Sequence, residues 1–224
     1  MKKNLNDIKS KTKYVRGPVK RHRVRALKGE SAKRAIGDLE PGCEVFGFTK
    51  GQFSLIDLLE HVLTCTGPAH VFVATWSAAD ADLKQAFKFL KNGRVQSLRF
   101  LVDYSFRARQ PDLVDTLLAV FGRDAVRVSV THAKFCLIYN DDWSLVVRTS
   151  MNLNFNPRFE NFEISDDREF LDFQMAIIDE IWNSPKAAEG FDVPHKDNYN
   201  EFKKTFIDTG GLFQKDLPDG RDLI

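Results

Sequence analysis

His70-Val71-Phe72-Val73-Ala74-Thr75-Trp76 and Ser97-Leu98-Arg99-Phe100-Leu101-Val102-Asp103 are two nearly unbroken apolar runs, and what lies between them decides the fold. Runs of this length, rich in branched and aromatic side chains, read as strands buried on both faces. Residues 78–92 between them read as a helix ending at Asn92-Gly93. Pro111 to Phe121 repeats the helical pattern with Pro in its first turn, and Ala125 to Val130 (AVRVSV) is a third strand. Strands spaced by such helices predict right-handed βαβ units and a largely parallel sheet covered on both faces.

Upstream, Cys43 to Phe48 alternates as a short strand, and Ser54 followed by Asp57 is a capping-box-like helix start. That helix runs to Cys65 and Gly67-Pro68 stops it. Downstream, His132 to Tyr139 and Trp143 to Thr149 are strand-like runs, joined by turn chemistry at Asn140-Asp141-Asp142. A loop rich in Asn, Phe and Pro follows, then a short strand at Phe162-Glu163-Ile164. Residues 167–182 form an amphipathic helix with Phe170, Phe173, Ala176, Ile177 and Ile181 on one stripe. The expected fold class is α/β, a mixed, largely parallel sheet with helices on both faces, and no internal repeat is visible.

The hydrophobic fraction of 43% and the 19 Phe argue for a packed core. No apolar run approaches the roughly 20 residues that span a bilayer. Met1-Lys2-Lys3-Asn4 leads into no apolar segment, so no secretory signal is read there. Cys43, Cys65 and Cys136 lack close metal-type spacing and read as reduced thiols of a cytoplasmic protein, and neither metal nor cofactor is expected. His61 reads as helix surface, His70 as the opening of a strand, and His22 and His195 as parts of polar extensions.

A net charge of +2 conceals an asymmetry. Residues 1–34 hold thirteen Lys/Arg against two acids, Asp7 and Glu30, a net of +11; the remainder holds twenty against twenty-nine, a net of −9. A basic arm over residues 1–41, including Lys20, Arg21, Arg23 and Arg25, is therefore expected to meet a polyanion, nucleic acid ahead of an anionic membrane surface. The run 20–25 reads as extended or disordered. Residues 42–184 form the expected domain, and 185–224 a polar extension with one short helix near 199–207.

Chemistry concentrates late in the chain. His132 and Lys134 are two apart on a strand and share a face, as do Ser150 and Asn152 on the next. An imidazole is a nucleophile toward phosphorus, an ammonium neutralises non-bridging oxygens, and the uncharged pair adds donors. Glu163 is suited to accept from the other ring nitrogen of a His, fixing its tautomer.

Thr131-His132-Ala133-Lys134, then Thr149-Ser150-Met151-Asn152, then Asn161-Phe162-Glu163 together resemble the phospholipase D superfamily. Its signature is His-x-Lys, an Asp further on, Gly-Ser-x-Asn and, in single-copy bacterial nucleases, a later Asn-x-Glu. Tyr139 stands where the family has Asp, and Thr149 where it has Gly. The Lys-to-Ser interval is also three residues longer than usual, which the Asn140–Asp142 turn can absorb. The resemblance implies catalytic roles for His132, Lys134, Ser150, Asn152 and Glu163. It further implies a phosphohistidine intermediate and two motifs per active site. With one motif per chain, a homodimer facing two copies of His132 is the economical solution.

Thr149, Arg158, Trp76 and Tyr104 are the candidate substrate contacts. Trp76 and Tyr104 lie at carboxyl ends of predicted strands, where open α/β sheets bind ligands. The expected activity is a metal-independent phosphodiesterase on nucleic acid, DNA ahead of RNA. Alternatives are a phospholipid phosphodiesterase or transferase, and a non-catalytic nucleic-acid-binding protein.

Overall fold

The computed structural model describes residues 20–27 and 29–184. The polar extension from residue 185, with its expected helix, lies outside the described residues, as does most of the arm. The elements are β1 (Lys20–Arg25), α1 (Ala32–Ile36), β2 (Cys43–Thr49), α2 (Leu55–Thr66), β3 (Ala69–Thr75), α3 (Asp80–Lys91), β4 (Val95–Asp103), α4 (Phe106–Arg109), α5 (Pro111–Phe121), β5 (Val126–Ser129), β6 (Phe135–Tyr139), β7 (Ser144–Thr149), β8 (Glu160–Asp166) and α6 (Arg168–Trp182).

One eight-stranded sheet runs in the order β1-β2-β8-β7-β6-β3-β4-β5. The pairs β1–β2, β3–β4 and β4–β5 are parallel, and the four pairs between β2 and β3 are antiparallel. Six strands therefore point one way, with β6 and β8 opposed. The sheet is largely parallel in direction, yet its centre is antiparallel because the hairpins β6–β7 and β7–β8 fold back between β2 and β3. Lys20–Arg25 pairs with Cys43–Phe48, so the sheet takes in a strand from within the stretch that the sequence assigns to the arm.

Alternation sends side chains to two unequal layers. Val45, Val71, Val73, Phe100, Val128, Cys136, Val147, Phe162 and Ile164 meet α2, α3 and α5 in the larger core. Phe72, Ala74, Leu101, Leu137 and Val146 meet α6 in the smaller one. The α6 stripe is rotated from the expected one: Leu171 and Ile178 are buried, with Phe170, Ile181 and Trp182 beside them, while Phe173 is 55% exposed. The sheet fixes this rotation, because Trp182 packs on Phe72 and closes under Arg99 and Arg127.

Local signals act as read. Ser54 Oγ accepts from Asp57 N at 3.3 Å and the Asp57 carboxylate accepts from Ser54 N at 2.8 Å, a complete capping box on α2. Asn140 Oδ1 accepts from the amides of Asp142 and Trp143, closing the β6–β7 hairpin. Gly47 lies under Phe162, whose ring would sit 2.3 Å from any added Cβ. His61 is a departure. It is buried in α2 and Nε2 meets the Gly37 carbonyl at 2.7 Å, because α1 packs over that helix face.

Candidate active site at the carboxyl rim of the sheet

Since six strands share a direction, their carboxyl ends gather on one rim with the beginnings of β6 and β8. Thr49, Trp76, Asp103, residues 130–134, Ser150 and Glu160 all arrive there. Residues 130–134 lead from β5 into β6 and must cross the ends of β4 and β3, which lie between them in the sheet. Two contacts guide the crossing. The buried Asp103 carboxylate accepts from Thr131 N at 3.1 Å, and the His132 ring lies 5.7 Å from that of Trp76.

His132 and Lys134 therefore stand on the lead-in to β6 rather than within it, and the adjacency expected of them is present. Lys134 Nζ lies 3.3 Å from His132 Nδ1 and 3.5 Å from Nε2, and it donates to the His132 carbonyl at 3.1 Å. His132 is exposed and Lys134 half-buried. Partial burial pushes the Lys134 ammonium below the usual lysine range, and the negative charge of Glu160 opposes that shift. A partly buried cation thus sits beside an open imidazole.

The second wall is the β7–β8 junction. Ser150 Oγ donates to the Glu160 carboxylate and accepts from Asn161 N at 3.0 Å, while Ser150 N donates to Asn161 O at 3.2 Å. Thr149 Oγ1 donates to Asn161 O at 2.8 Å and accepts from Met151 N at 3.0 Å, so it braces the rim. Thr149 N also donates to Lys134 O at 3.2 Å, tying the two walls together. Beyond Ser150 the chain reaches β3: Leu153 N donates to Thr75 Oγ1 and Leu153 O accepts from Ala79 N. Asn152 is carried along this bridge, and its buried Oδ1 finds no protein partner among the described residues.

Glu163 is not brought to this rim. It lies on the other face of β8, ion-paired with Arg148, whose guanidinium is 5.2 Å from the Phe170 ring. Period two is the cause: Glu160, Phe162 and Ile164 share one face, while Asn161, Glu163 and Ser165 share the other. The carboxylate at the site is Glu160, which the sequence reading passed over. Its signal was available, since β8 begins two residues earlier than the apolar core of the run suggests.

Arg109 is a second residue that the sequence reading missed. Its guanidinium lies 3.6 Å from the Trp76 ring centroid, and it donates to Trp76 O at 2.6 Å and to Ser105 Oγ at 3.0 Å. Burial lowers its pKa, and Asp103 and Tyr104 act to raise it. Tyr104 is half-buried against the larger core, with its amide on Ser129 O. Arg158 is exposed on a loop whose Pro157 rests on Gly51. Tyr139, at the position of the family's Asp, lies at the far end of β6 stacked on His70, remote from the rim. Arg21, Arg23 and Arg25 line the sheet edge beside β2, and the side chain of Lys20 lies outside the described residues.

Among the described residues no cluster of His, Cys, Asp and Glu has the form of a metal site, and no helix is long and apolar enough to cross a membrane. No family model matches the chain, and no curated protein matches it. Similar solved structures include a phospholipase D family member, Nuc, from Salmonella typhimurium, with 13% identity, a TM-score of 0.45 and coverage of 62% of this chain and 93% of that one. NucT from Helicobacter pylori is similar at 13% identity and a TM-score of 0.44, covering 63% and 97%. Polyphosphate kinase from Porphyromonas gingivalis is similar at 10% identity and a TM-score of 0.47, covering 63% of this chain and 26% of the kinase.

Proposed function

We propose that the protein is a metal-independent phosphodiesterase acting on nucleic acid, with His132 as nucleophile and Lys134 as the cation that neutralises the phosphate. The observation that carries this reading is the exposed imidazole with an ammonium 3.3 Å from it, on the rim where Ser150 and Glu160 are hydrogen-bonded. In the first step a ring nitrogen of His132 attacks phosphorus. A P–N bond forms, the P–O bond to the leaving group breaks, and that oxygen takes a proton from an acid opposite. In the second, water loses a proton to the same group and attacks phosphorus, and the P–N bond breaks to release the phosphate and free His132.

The opposite group is His132 of the partner subunit in a homodimer built across the rim. The exposure of His132 supports that reading, because the ring stands where a second copy can face it. Glu160 holds Ser150 in place and keeps Lys134 charged. Asn152 offers its amide to a phosphate oxygen, and Trp76, buttressed by Arg109, borders the space beside the nucleophile.

The test is cleavage of a labelled oligonucleotide in excess chelator by the full chain and by His132→Ala. Activity that survives chelation and disappears in the variant is the expected result. Activity retained by His132→Ala, or hydrolysis of anionic liposomes without nucleic-acid cleavage, would overturn the proposal.

A further inference from the structure

Among the described residues, the face of the sheet that carries α6 is covered only in part. α6 packs over strands β3, β4, β6 and β7, and the same face of β1, β2 and β8 bears a different set of side chains. Cross-strand register orders them in rows. Arg25, Phe48 and Asn161 form the row nearest the rim; Arg23, Phe46, Glu163 and Arg148 the next; Arg21, Glu44 and Ser165 the last. The lower two rows line one open depression.

Aromatic rings run through this surface. Phe46 meets Phe48 edge-on at 5.0 Å, and Phe48 stacks on Phe159 at 4.9 Å with 15° between the planes. Phe46 is 43% exposed and Phe159 69%, although large apolar side chains of this kind belong in a core. Phe159 immediately precedes Glu160 in the chain and stacks on Phe48 of the uppermost row, so the line of rings runs to the same rim as the candidate active site. Three arginines of β1 flank it, Arg21 held by Glu44 at 2.8 Å.

We propose that this open sheet face is a stacking platform for single-stranded nucleic acid, which it leads toward His132. The inference rests on the nucleic-acid reading above and adds the strand state. Exposed rings in a row accept unpaired bases, whose faces a duplex keeps hidden, and the guanidiniums alongside match a phosphate backbone. Charge decides between occupants: Glu44 and Glu163 offset Arg21 and Arg148, which leaves Arg23 and Arg25 as an excess of positive charge that a second copy would meet with its own and a polyanion complements. Phosphate contacts by the arginines alone would serve duplex and single strand alike; the exposed rings discriminate.

The experiment measures binding of a fluorescent oligo(dT) and of a duplex of equal length to the full chain in a His132→Ala background, so that cleavage does not intervene. Phe46→Ala with Phe159→Ala is expected to weaken oligo(dT) binding about tenfold or more while changing duplex binding less than about twofold. Phe46→Tyr with Phe159→Tyr should restore it. Both positions are exposed, and an unchanged melting temperature confirms the fold. Unaltered oligo(dT) affinity in the double alanine variant would overturn the platform. So would equal weakening of both ligands, or loss of self-association without loss of oligo(dT) binding. Retained cleavage in His132→Ala carrying both phenylalanines would sink the catalytic reading alone and leave the platform standing.

Discussion

Ser150 donates its hydroxyl to the Glu160 carboxylate across the β7–β8 junction, and the amide of Asn161 donates back to Ser150 Oγ at 3.0 Å. This closed pair separates two acids that the sequence presents almost side by side. Glu160→Gln should lower the proposed cleavage rate by about 100-fold or more, since it weakens both the Ser150 anchor and the negative charge facing Lys134. Glu163→Gln should stay within about threefold of wild type. Steady-state kinetics on one oligonucleotide decides; the reverse order of effects would move the carboxylate role to Glu163.

Lys134 sets an alkaline limit. Burial holds its pKa below the ordinary lysine value, so the ammonium is present at low pH and is lost as pH rises through that lowered value. Activity that needs the charge should therefore fall on the alkaline side earlier than an exposed lysine would allow. Lys134→Arg keeps its charge throughout that range. Its profile should lose the alkaline fall even where the absolute rate is lower, and an unchanged profile would show that another group titrates.

Asp82 provides a stability test outside the site. It lies in the first turn of α3, where an anion is normally favoured, yet burial first and Asp57 second raise its pKa to about 6. The native state then binds its proton more tightly than the unfolded chain, with a pKa of 3.8 as reference. Stability is highest below that value and declines as pH rises through the window up to about 6. Asp82→Asn should remove this decline and stabilise the fold at pH 8 by about 1–2 kcal/mol in urea unfolding. A variant less stable than wild type at pH 8 would contradict the assignment.

Gly47 tests the packing that carries β8. A methyl group there meets the Phe162 ring at 2.3 Å, and Phe162 is fully buried. Gly47→Ala should destabilise by about 1–3 kcal/mol. Combining it with Phe162→Leu should give less than the sum of the two single losses, a coupling measurable in a double-mutant cycle.

How much of this was legible in the chain depends on the length of each signal. The strands around Phe72 and Phe100 and the cap at Ser54 announce themselves through dense local patterns, and the structure places all three as read. Strand order is another matter: nothing local states that β6–β8 insert between β2 and β3, because that is settled by long-range pairing. Within the site, the adjacency of His132 and Lys134 follows from a two-residue interval. The choice between Glu160 and Glu163 turns on where β8 begins, and a three-residue interval on a strand reverses the face. Arg109 was invisible for a similar reason. Its partner Trp76 is 33 residues away, and only the closing of the rim brings them together.

The place of β1 has a further consequence for assembly. Among the described residues it is paired on one side only, leaving a row of backbone groups of the kind that invites another strand. Arg21, Arg23 and Arg25 stand along that border, so a sister molecule arriving edge-to-edge would confront like charge across a gap of about 5 Å. The border is closed to self-extension while staying attractive to anions. Growth by sheet continuation is thereby discouraged on this side.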